Sequence, residues 1–425
     1  HEGRSIWIDG DRIVRVAAAG EPPPAGIERV DLAGAYVIPG LWDMHVHWYD
    51  EAYLPLFIAN GVTGVRQMFG AKVHHEWRRR IASGELIGPR QVIASRIVDG
   101  PEPVWPGSIT AADAEEGRRA VATAIEEGAD FIKVYSLLPR EAYLAIAEEA
   151  NRRAIPFAGH VPGRSSLLEA AASGQRSVEH LSQVLWACTS DEARMNELVE
   201  RGELPWWKAS PLIESYSPER ARRTFEDLAG RDLWMCPTLT WWRAQGRAQD
   251  GAIKDDPRLQ YMPPGVRSRW AEPPRWTDDV AQYEAESRAN YAKSLEIVGE
   301  MHRAGVKLLA GTDVLNPYCM PGFSLHDELE LLVEAGLTPL EALRTATVAP
   351  AEDLEREDEM GSVEAGTLAD LVVLSDNPLE RIEHTTSIIG VVAAGRYFDP
   401  AEIAAMLDAA RERATAESPN AGRTP

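Results

Sequence analysis

The stretch LWDMHVH, residues 41–47, follows a Pro-Gly turn and predicts a short apolar strand that ends in two histidines. Alternate residues of a strand share one face, so His45 and His47 point the same way and Val46 points the opposite way. The carboxyl end of a buried parallel strand is where barrel enzymes place their chemistry. A lone His-x-His pattern is weak by itself, so its meaning depends on what the other strands present.

Seven further strand-like runs follow, separated by amphipathic helical stretches such as EAYLAIAEEANRRA and SLHDELELLVEAG. The runs are TGVRQMF, QVIASRI, DFIKVYS, IPFAGHV, QRSVEHL, LWMCPTL and VKLLAGTD. Parallel strands that are buried on both faces need crossover helices, and eight such units close on themselves. The pattern therefore predicts an α/β fold with a (β/α)8 TIM barrel over residues 41–352.

Short alternating β runs between Gly, Asn and Pro occur at both ends of the chain and not in between. They predict one small β-sandwich domain assembled from residues 1–40 and 353–400. Residues 401–425 are rich in Ala and Glu and then in Ser, Pro and Gly, which predicts a C-terminal helix followed by a flexible tail. Because the chain begins at His1 within an apparent strand, we expect that an upstream segment has been trimmed.

Residues 186–276 interrupt the strand and helix rhythm and hold eight of the thirteen tryptophans. The stretch is too long for an ordinary connection, so part of it is expected to be an insertion with helices of its own. Two interpretations stay open for it. One is a lid or substrate wall, and the other is added core or a surface for self-association.

The charge balance excludes some partners. With 66 acidic and 44 basic residues the formal net charge is -22, and such a surface repels nucleic acid and anionic membranes. The three cysteines are too few and too scattered for a disulfide framework, and no apolar run approaches the roughly 20 residues of a membrane span. We expect a soluble protein of the cytoplasm or periplasm with a small-molecule substrate, and the sequence leaves a homo-oligomer open.

Further polar residues occupy strands or strand ends in the predicted barrel. They are Lys133, His160, His180 and Asp313. Imidazole and carboxylate ligands that converge on one barrel mouth suit zinc or a similar divalent ion, and crowded charges there would otherwise be unpaired and costly. Each residue alone is also compatible with a hydrogen-bonded core group, and Lys133 with a side chain that reaches the surface or pairs with Glu179 or Asp130.

The motifs HVH, IKVY, GHV, EH and GTD, with the flanking GVTGVR and the late GSVEAGTLADLVVL block, resemble the metal-dependent amidohydrolase superfamily over nearly the whole chain. The resemblance is strongest to the branch that holds imidazolonepropionase-like proteins, Xaa-Pro dipeptidases and ochratoxin-type amidases. It implies two divalent ions, with His45, His47 and Asp313 on the more buried ion, His160 and His180 on the second, and Lys133 bridging them as N6-carboxylysine.

The implied function is a binuclear, zinc-type amidohydrolase that cleaves an amide bond of a small molecule, an N-acyl amino acid or a dipeptide by a metal-bridging hydroxide. Asp313 would orient the hydroxide, take its proton and deliver it to the leaving amine. A lactone, carbamate or phosphoester hydrolase on the same site is an alternative, because the hydroxide does not dictate its electrophile. A non-catalytic metal-bound scaffold is the alternative from another class.

Two residues are candidates for substrate binding. Tyr135 shares a strand face with Lys133, and Trp105 lies in the loop 99–108 after the third barrel strand. A packed tyrosine with a satisfied hydroxyl is an equal alternative. The loop lacks the Gly-Gly-His of several related peptidases, which weakens a transfer of dipeptidase specificity. Histidines away from strand ends are expected to be structural or exposed, with His326 on a helix surface: His74, His75, His302 and His326.

Overall fold

A computed structural model of the protein describes residues 3–18, 20–32, 34–248, 250–273 and 277–416. The strands in these ranges are β1 (Ser5–Asp9), β2 (Arg12–Ala17), β3 (Tyr36–Pro39), β4 (Leu41–Val46), β5 (Val62–Gln67), β6 (Arg90–Ile93), β7 (Val98–Asp99), β8 (Ile109–Thr110), β9 (Ile132–Val134), β10 (Phe157–Gly159), β11 (Ser177–Glu179), β12 (Trp234–Cys236), β13 (Lys307–Leu308), β14 (Leu371–Leu374), β15 (Ile388–Ala393) and β16 (Arg396–Phe398).

The α-helices in the same ranges are α1 (Leu54–Ala59), α2 (Lys72–Ala82), α3 (Ala114–Glu126), α4 (Arg140–Arg152), α5 (Leu167–Ala172), α6 (Val184–Cys188), α7 (Glu192–Glu200), α8 (Ser210–Glu214), α9 (Pro218–Ala229), α10 (Leu239–Arg247), α11 (Gly251–Lys254), α12 (Pro264–Trp270), α13 (Val280–Ala304), α14 (Phe323–Glu334), α15 (Pro339–Thr345), α16 (Val348–Asp353) and α17 (Pro400–Thr415). Short 3-10 helices cover Glu51–Tyr53, Pro257–Tyr261 and Ile382–Thr386.

Parallel strands form the centre of this mixed α/β fold. Strands β4, β5 and β6 pair in parallel, and so do β9 to β13 in chain order. A parallel bridge between Ala94 and Phe131 joins one edge of the two sheets, and a second between Val46 and Val314 joins the other. Each of the eight predicted runs contains a strand, and parallel pairing continues around the ring, as expected for the predicted barrel.

Burial explains why these runs become strands. Every residue of β4 and of β5 is buried, as expected for parallel strands covered by helices on one side and by the barrel interior on the other. Gly64 in β5 is required by packing, because a Cβ there would lie 2.1 Å from Trp42 Cε2. The register shifts between Asp43 and Val46, where β4 takes one more residue than β5. Such an irregularity re-aims side chains, and here it adjoins the two histidines.

Both chain ends contribute to antiparallel sheets beside the parallel ring. β1 pairs with β2, while β3 from the N-terminal part joins the four-stranded sheet β16-β15-β14-β3. The two sheets share an apolar cluster formed by Ile13, Ala369, Leu371 and Val392. The chain ends therefore come together, whereas the sandwich classification and the domain boundaries stay predictions.

The tryptophan-rich stretch 186–276 is not one continuous insertion, because it contains the barrel strand β12. Helices α6 to α9 precede this strand, and α10 to α12 follow it. The last of these helices packs near the carboxyl end of the ring, since the Trp270 ring lies 5.7 Å from that of Tyr318, which follows β13. Trp276 lies outside the described residues. The segment thus combines one buried strand with helices, one of which packs near the carboxyl end of the ring.

The C-terminal helix α17 begins at a capping box in which Asp399 accepts from the Glu402 amide and Glu402 accepts from the Asp399 amide. Ile403 and Met406 of this helix pack with Ile58 of α1, which ties the chain end to the barrel. The predicted tail after residue 416 lies outside the described residues. In the described ranges no helix is both long and apolar enough to cross a membrane.

Candidate metal centre

The predicted ligands come from different strands of the ring and meet at its carboxyl end. His45 lies in β4 and Lys133 in β9, and His47, His160 and His180 directly follow their strands. Asp313 lies in the loop after β13. The His45 ring is 4.5 Å from the His180 ring, and the His180 ring is 5.0 Å from the His160 ring. The structure therefore places residues that are far apart in sequence around one small volume.

Three of these residues match the coordination of a single ion. His45 Nε2 and His47 Nε2 are 3.2 Å apart, and they lie 3.4 and 3.3 Å from Asp313 Oδ1. Tetrahedral zinc with bonds of about 2.0–2.1 Å requires ligand atoms about 3.3 Å from one another. The three measured separations fit that value, so His45, His47 and Asp313 are suited to hold one divalent ion.

The other side of the site contains polar atoms that lack a partner in the described part of the chain. Lys133 Nζ and His160 Nε2 are both buried and form no hydrogen bond. Unsatisfied buried amines and imidazoles are costly. A second ion bound by His160 and His180, with a carboxylated Lys133 between the two ions, would satisfy both atoms.

Hydrogen bonds orient the two imidazoles on this side. His160 Nδ1 lies 2.7 Å from Ser136 Oγ, and His180 Nδ1 lies 2.7 Å from Thr238 Oγ1. The Thr238 hydroxyl donates its single proton to the Pro237 carbonyl, so it accepts from His180. The Nδ1 atoms are thereby engaged, and the Nε2 atoms stay free as ligands, in the manner typical of metal-bound histidines.

His45 has a carboxylate partner that sequence reasoning missed as a site residue. Its Nδ1 donates to Glu179 Oε2 at 2.7 Å, and Glu179 Oε1 accepts from Arg66 and Ser177. Cys236 Sγ is also close enough to His45 and Glu179 to form a candidate ligand group. Because hydrogen bonds already use the Glu179 oxygens, we assign this group to the support of His45 rather than to a second ligand set. No local pattern signals Glu179 beyond its position directly before His180.

Burial shifts the pKa values of the imidazoles downward. The pKa values of His45 and His160 lie well below the ordinary range, first because of burial and then because of the Lys133 charge. The pKa of His180 is lowered to about 4, again mainly by burial. The three rings are therefore neutral at pH 7, which is the form that binds metals.

Burial also lowers the pKa of the Lys133 amine to about 8, although Glu179 and Asp313 act in the opposite direction. A substantial fraction of this amine is neutral near physiological pH, and the neutral form can react with carbon dioxide. Asp313 remains ionised, because the surrounding imidazoles lower its pKa more than burial raises it. The fully buried Lys133 side chain does not reach the surface, and Asp130 pairs with Arg78 instead. Glu179 acts on Lys133 through its charge, but Lys133 Nζ forms no hydrogen bond within the described ranges.

Backbone strain is concentrated at the site. His180, Thr238 and Asp313 have φ angles of 58°, 50° and 59°, in the left-handed region that residues other than glycine rarely adopt. Strain of this kind persists where surrounding contacts hold it, commonly at functional positions. Next to Asp313, the neighbouring Thr312 is fixed by Asp43. The Asp43 carboxylate accepts hydrogen bonds from the backbone amide and the hydroxyl of Thr312 at 3.0 and 2.6 Å.

Aromatic side chains lie beside two of the predicted ligands. The Tyr135 ring stacks on His160 at 4.0 Å, and Trp105 Nε1 donates to the Tyr135 hydroxyl at 2.9 Å. The Trp241 ring lies 5.8 Å from His180. Tyr135 and Trp105 thus lie beside the predicted ligands. Trp241 belongs to the tryptophan-rich stretch. The composition of that stretch does not show which of its tryptophans lies beside the predicted ligands.

The structure corrects the expectation for His326. It does not lie on the helix surface but is 2% exposed, with Nε2 3.0 Å from the Asn60 carbonyl and Nδ1 2.9 Å from the Thr385 hydroxyl. The reason is that α14 buries the face that carries His326. His74 is buried and structural as well, since its Nε2 lies 2.7 Å from the Trp48 carbonyl. Neither histidine belongs to the ligand group.

Comparisons with known proteins identify similar sequences and structures. Residues 280–397 match the amidohydrolase family. The chain is 25% identical to ochratoxinase of Aspergillus niger over 418 residues, which covers 82% of this chain and 72% of that protein. It superposes on bottromycin amidohydrolase with a TM-score of 0.76, at 25% identity and over 97% of this chain and 86% of that one.

A Xaa-Pro dipeptidase structure has a TM-score of 0.67 at 20% identity, over 93% of this chain and 95% of that one, and this likeness supports the fold. The matches in sequence and in structure extend over both the ring of strands and the flanking sheets. By these similarities the chain resembles proteins of the amidohydrolase superfamily.

Proposed function

We propose that the protein is a binuclear metal-dependent amidohydrolase that cleaves an amide bond of a small molecule, with N-acyl amino acids and dipeptides as the substrate class. A hydrolase that acts on carbon–nitrogen bonds is supported by the match of residues 280–397 to the amidohydrolase family and by the likeness to ochratoxinase and bottromycin amidohydrolase. The observation that carries the proposal is the set of separations of 3.2, 3.3 and 3.4 Å among the ligand atoms of His45, His47 and Asp313.

We assign the ligands from the side-chain atoms that have suitable separations or lack a hydrogen-bond partner. His45, His47 and Asp313 would hold one ion, His160 and His180 the second, and Lys133 as N6-carboxylysine would lie between them. When bound, divalent ions, for which zinc suits the ligand types, would lower the pKa of a bound water and polarise a substrate carbonyl. All other contributions come from side chains of the protein.

Asp313 is suited to handle the proton. Its Oδ1 faces the two histidines of β4, whereas Oδ2 lies 3.9 Å from His180 Nδ1. One oxygen can therefore serve as a ligand while the other accepts the proton of the attacking water. Since Asp313 is ionised, it can take this proton and then pass it to the leaving nitrogen, which otherwise departs poorly as an anion.

Tyr135 and the aromatic walls are suited to position the substrate. The Tyr135 hydroxyl accepts from Trp105, which leaves its own hydrogen to donate to a carbonyl or carboxylate oxygen of a substrate. Trp105, beside Tyr135, and Trp241, beside His180, would contact apolar parts of the substrate. The negative net charge of the chain disfavours strongly anionic substrates at long range.

The test is a substrate screen with metal-loaded and metal-stripped protein. N-acyl amino acids, dipeptides, lactones, carbamates, aryl esters and phosphoesters are offered, and release of free amine, alcohol or phosphate is measured. We expect amine release that requires metal and is lost in Asp313→Asn but kept in Asp376→Asn, a carboxylate at an exposed position. Turnover of lactones or phosphoesters alone, or amide turnover that survives Asp313→Asn, would contradict the proposal.

A further inference from the structure

A line of buried charged groups extends from His45 into the barrel interior. Glu179 Oε2 accepts from His45 Nδ1 at 2.7 Å, and Arg66 donates to Glu179 Oε1 at 3.0 Å and to Asp353 Oδ2 at 3.2 Å. The side chains of Glu179, Arg66 and Asp353 are 0%, 2% and 2% exposed. Burying three charges is costly, and such an arrangement is poor evidence for stability alone. A function at its end is therefore expected.

The line also continues to the opposite side of the ring. Arg176 donates to the Asp353 carbonyl at 2.9 Å and to the Glu352 carbonyl at 2.8 Å, which anchors the end of α16 beneath the barrel. Within the ring, Arg66 Nε donates to the Met44 carbonyl at 2.8 Å. Since Met44 directly precedes His45, the same guanidinium fixes both the backbone beside the histidine and the carboxylate on its side chain.

The hydrogen bonds around Glu179 determine its charge state. Arginine stays protonated in proteins and can only donate, and Ser177 donates to the same oxygen. Glu179 therefore accepts on both oxygens as a carboxylate, and His45 must carry its proton on Nδ1. The lone pair is left on Nε2, the atom that faces His47 and Asp313 at 3.2 and 3.4 Å.

We propose that Glu179, held by Arg66 and Asp353, is a positioning residue that fixes the tautomer of His45 and so determines whether this histidine can bind a metal ion. The inference rests on the metal site of the proposed function but not on its substrate or on hydrolysis. It assigns a role to three residues that would otherwise count as buried charge in the core.

Glu179→Gln provides a nearly isosteric test. An amide oxygen in the Oε1 position keeps the bonds from Arg66 and Ser177, but the amide nitrogen then faces His45 Nδ1 and donates to it. The proton of His45 must move to Nε2, which removes the lone pair that the ion needs. A merely structural role predicts no such effect, because shape and most hydrogen bonds are preserved.

Glu286→Gln is the matched control. Glu286 is also buried and also accepts three hydrogen bonds, from the Ala209 amide, the Ser210 amide and the Ser210 hydroxyl. The bonds connect α13 with α8, away from the ligand group. A glutamine there can keep both amide donors on its oxygen and donate to the hydroxyl, so only stability is at risk.

The experiment measures zinc affinity of wild type, Glu179→Gln, Asp353→Asn and Glu286→Gln by competition with a chromophoric chelator. Absorption of the cobalt-substituted proteins reports the coordination, and thermal unfolding of the metal-free forms reports the fold. Loss of an outer hydrogen-bond partner costs about 10–100-fold in metal affinity. We expect a loss of that size for one ion in Glu179→Gln, with an altered cobalt spectrum, a smaller loss in Asp353→Asn, and wild-type affinity in Glu286→Gln.

Equal zinc affinity and an unchanged cobalt spectrum in folded Glu179→Gln would overturn the inference while leaving the hydrolase proposal intact. An affinity loss that Glu286→Gln shares would overturn it too, because it would then reflect general destabilisation. The experiment also distinguishes a failure of the proposed activity from a failure of this inference. A wild-type protein that binds zinc and loses affinity in Glu179→Gln, yet cleaves no amide, supports the inference and contradicts only the proposed activity.

Discussion

The proposed carboxylation of Lys133 should depend on pH in a way that its buried position makes measurable. Burial lowers the pKa of this amine to about 8, against an ordinary value of 10.5. At pH 7 about one-tenth of such amines are neutral, whereas about three in ten thousand ordinary lysines are. Only the neutral amine attacks carbon dioxide, so we expect Lys133 of the metal-stripped protein to react about 300-fold faster than an ordinary lysine on this count.

The sign of the effect follows from the lowered pKa, because the neutral form appears at lower pH. Under a fixed partial pressure of carbon dioxide the rate should rise about tenfold per pH unit below pH 8 and level off above it. Incorporation of 13C-labelled carbon dioxide is followed by NMR, and Lys133→Met serves as the control for label on other amines. A rate that keeps rising to pH 10, or equal labelling of Lys133→Met, would refute the reasoning.

Three further predictions concern individual contacts. Thr238→Val removes the acceptor of His180 Nδ1 and should weaken binding of one zinc ion by about 10–100-fold in chelator competition, while Thr238→Ser should not. Arg66→Met leaves two buried carboxylates without their partner and should lower the free energy of unfolding by about 3–5 kcal/mol in urea titrations; Arg78→Met, in a half-exposed pair, should cost at most about 1 kcal/mol. Trp105→Leu should raise KM several-fold for substrates with an aryl group and leave kcat nearly unchanged. If KM rises equally for aliphatic substrates, Trp105 does not contact the aryl group.

The ring of strands and the clustering of the predicted ligands could be predicted from the sequence for a physical reason. Parallel strands buried on both faces produce short apolar runs, and most of the predicted ligands stand at the end of such a run, as His180 does in QRSVEH and Asp313 in LLAGTD. A polar residue at the end of a buried strand is expected to face the barrel mouth, because the rest of its surroundings are apolar. The positions of these residues could therefore be predicted before their distances were known.

The support around the ligands could not be predicted, because it depends on contacts between distant segments. Arg66 and Asp353 are separated by 287 residues and Arg66 and Glu179 by 113, and an arginine inside an apolar strand has no local signature of its partner. Thr238 appears as an ordinary loop residue until its left-handed backbone places it against His180. His326 was mispredicted for the same reason, since its buried partners Asn60 and Thr385 come from elsewhere in the chain.

The most direct test of the central claim is the number of ions bound per chain. The metal-stripped protein is reconstituted with zinc and bicarbonate, freed of excess metal, and analysed by inductively coupled plasma mass spectrometry against protein concentration. We predict two zinc ions per wild-type chain and at most one in folded Lys133→Ala, since the residue between the ions is then missing. One ion or none in the wild type, or two ions in Lys133→Ala, would contradict a binuclear centre bridged by Lys133.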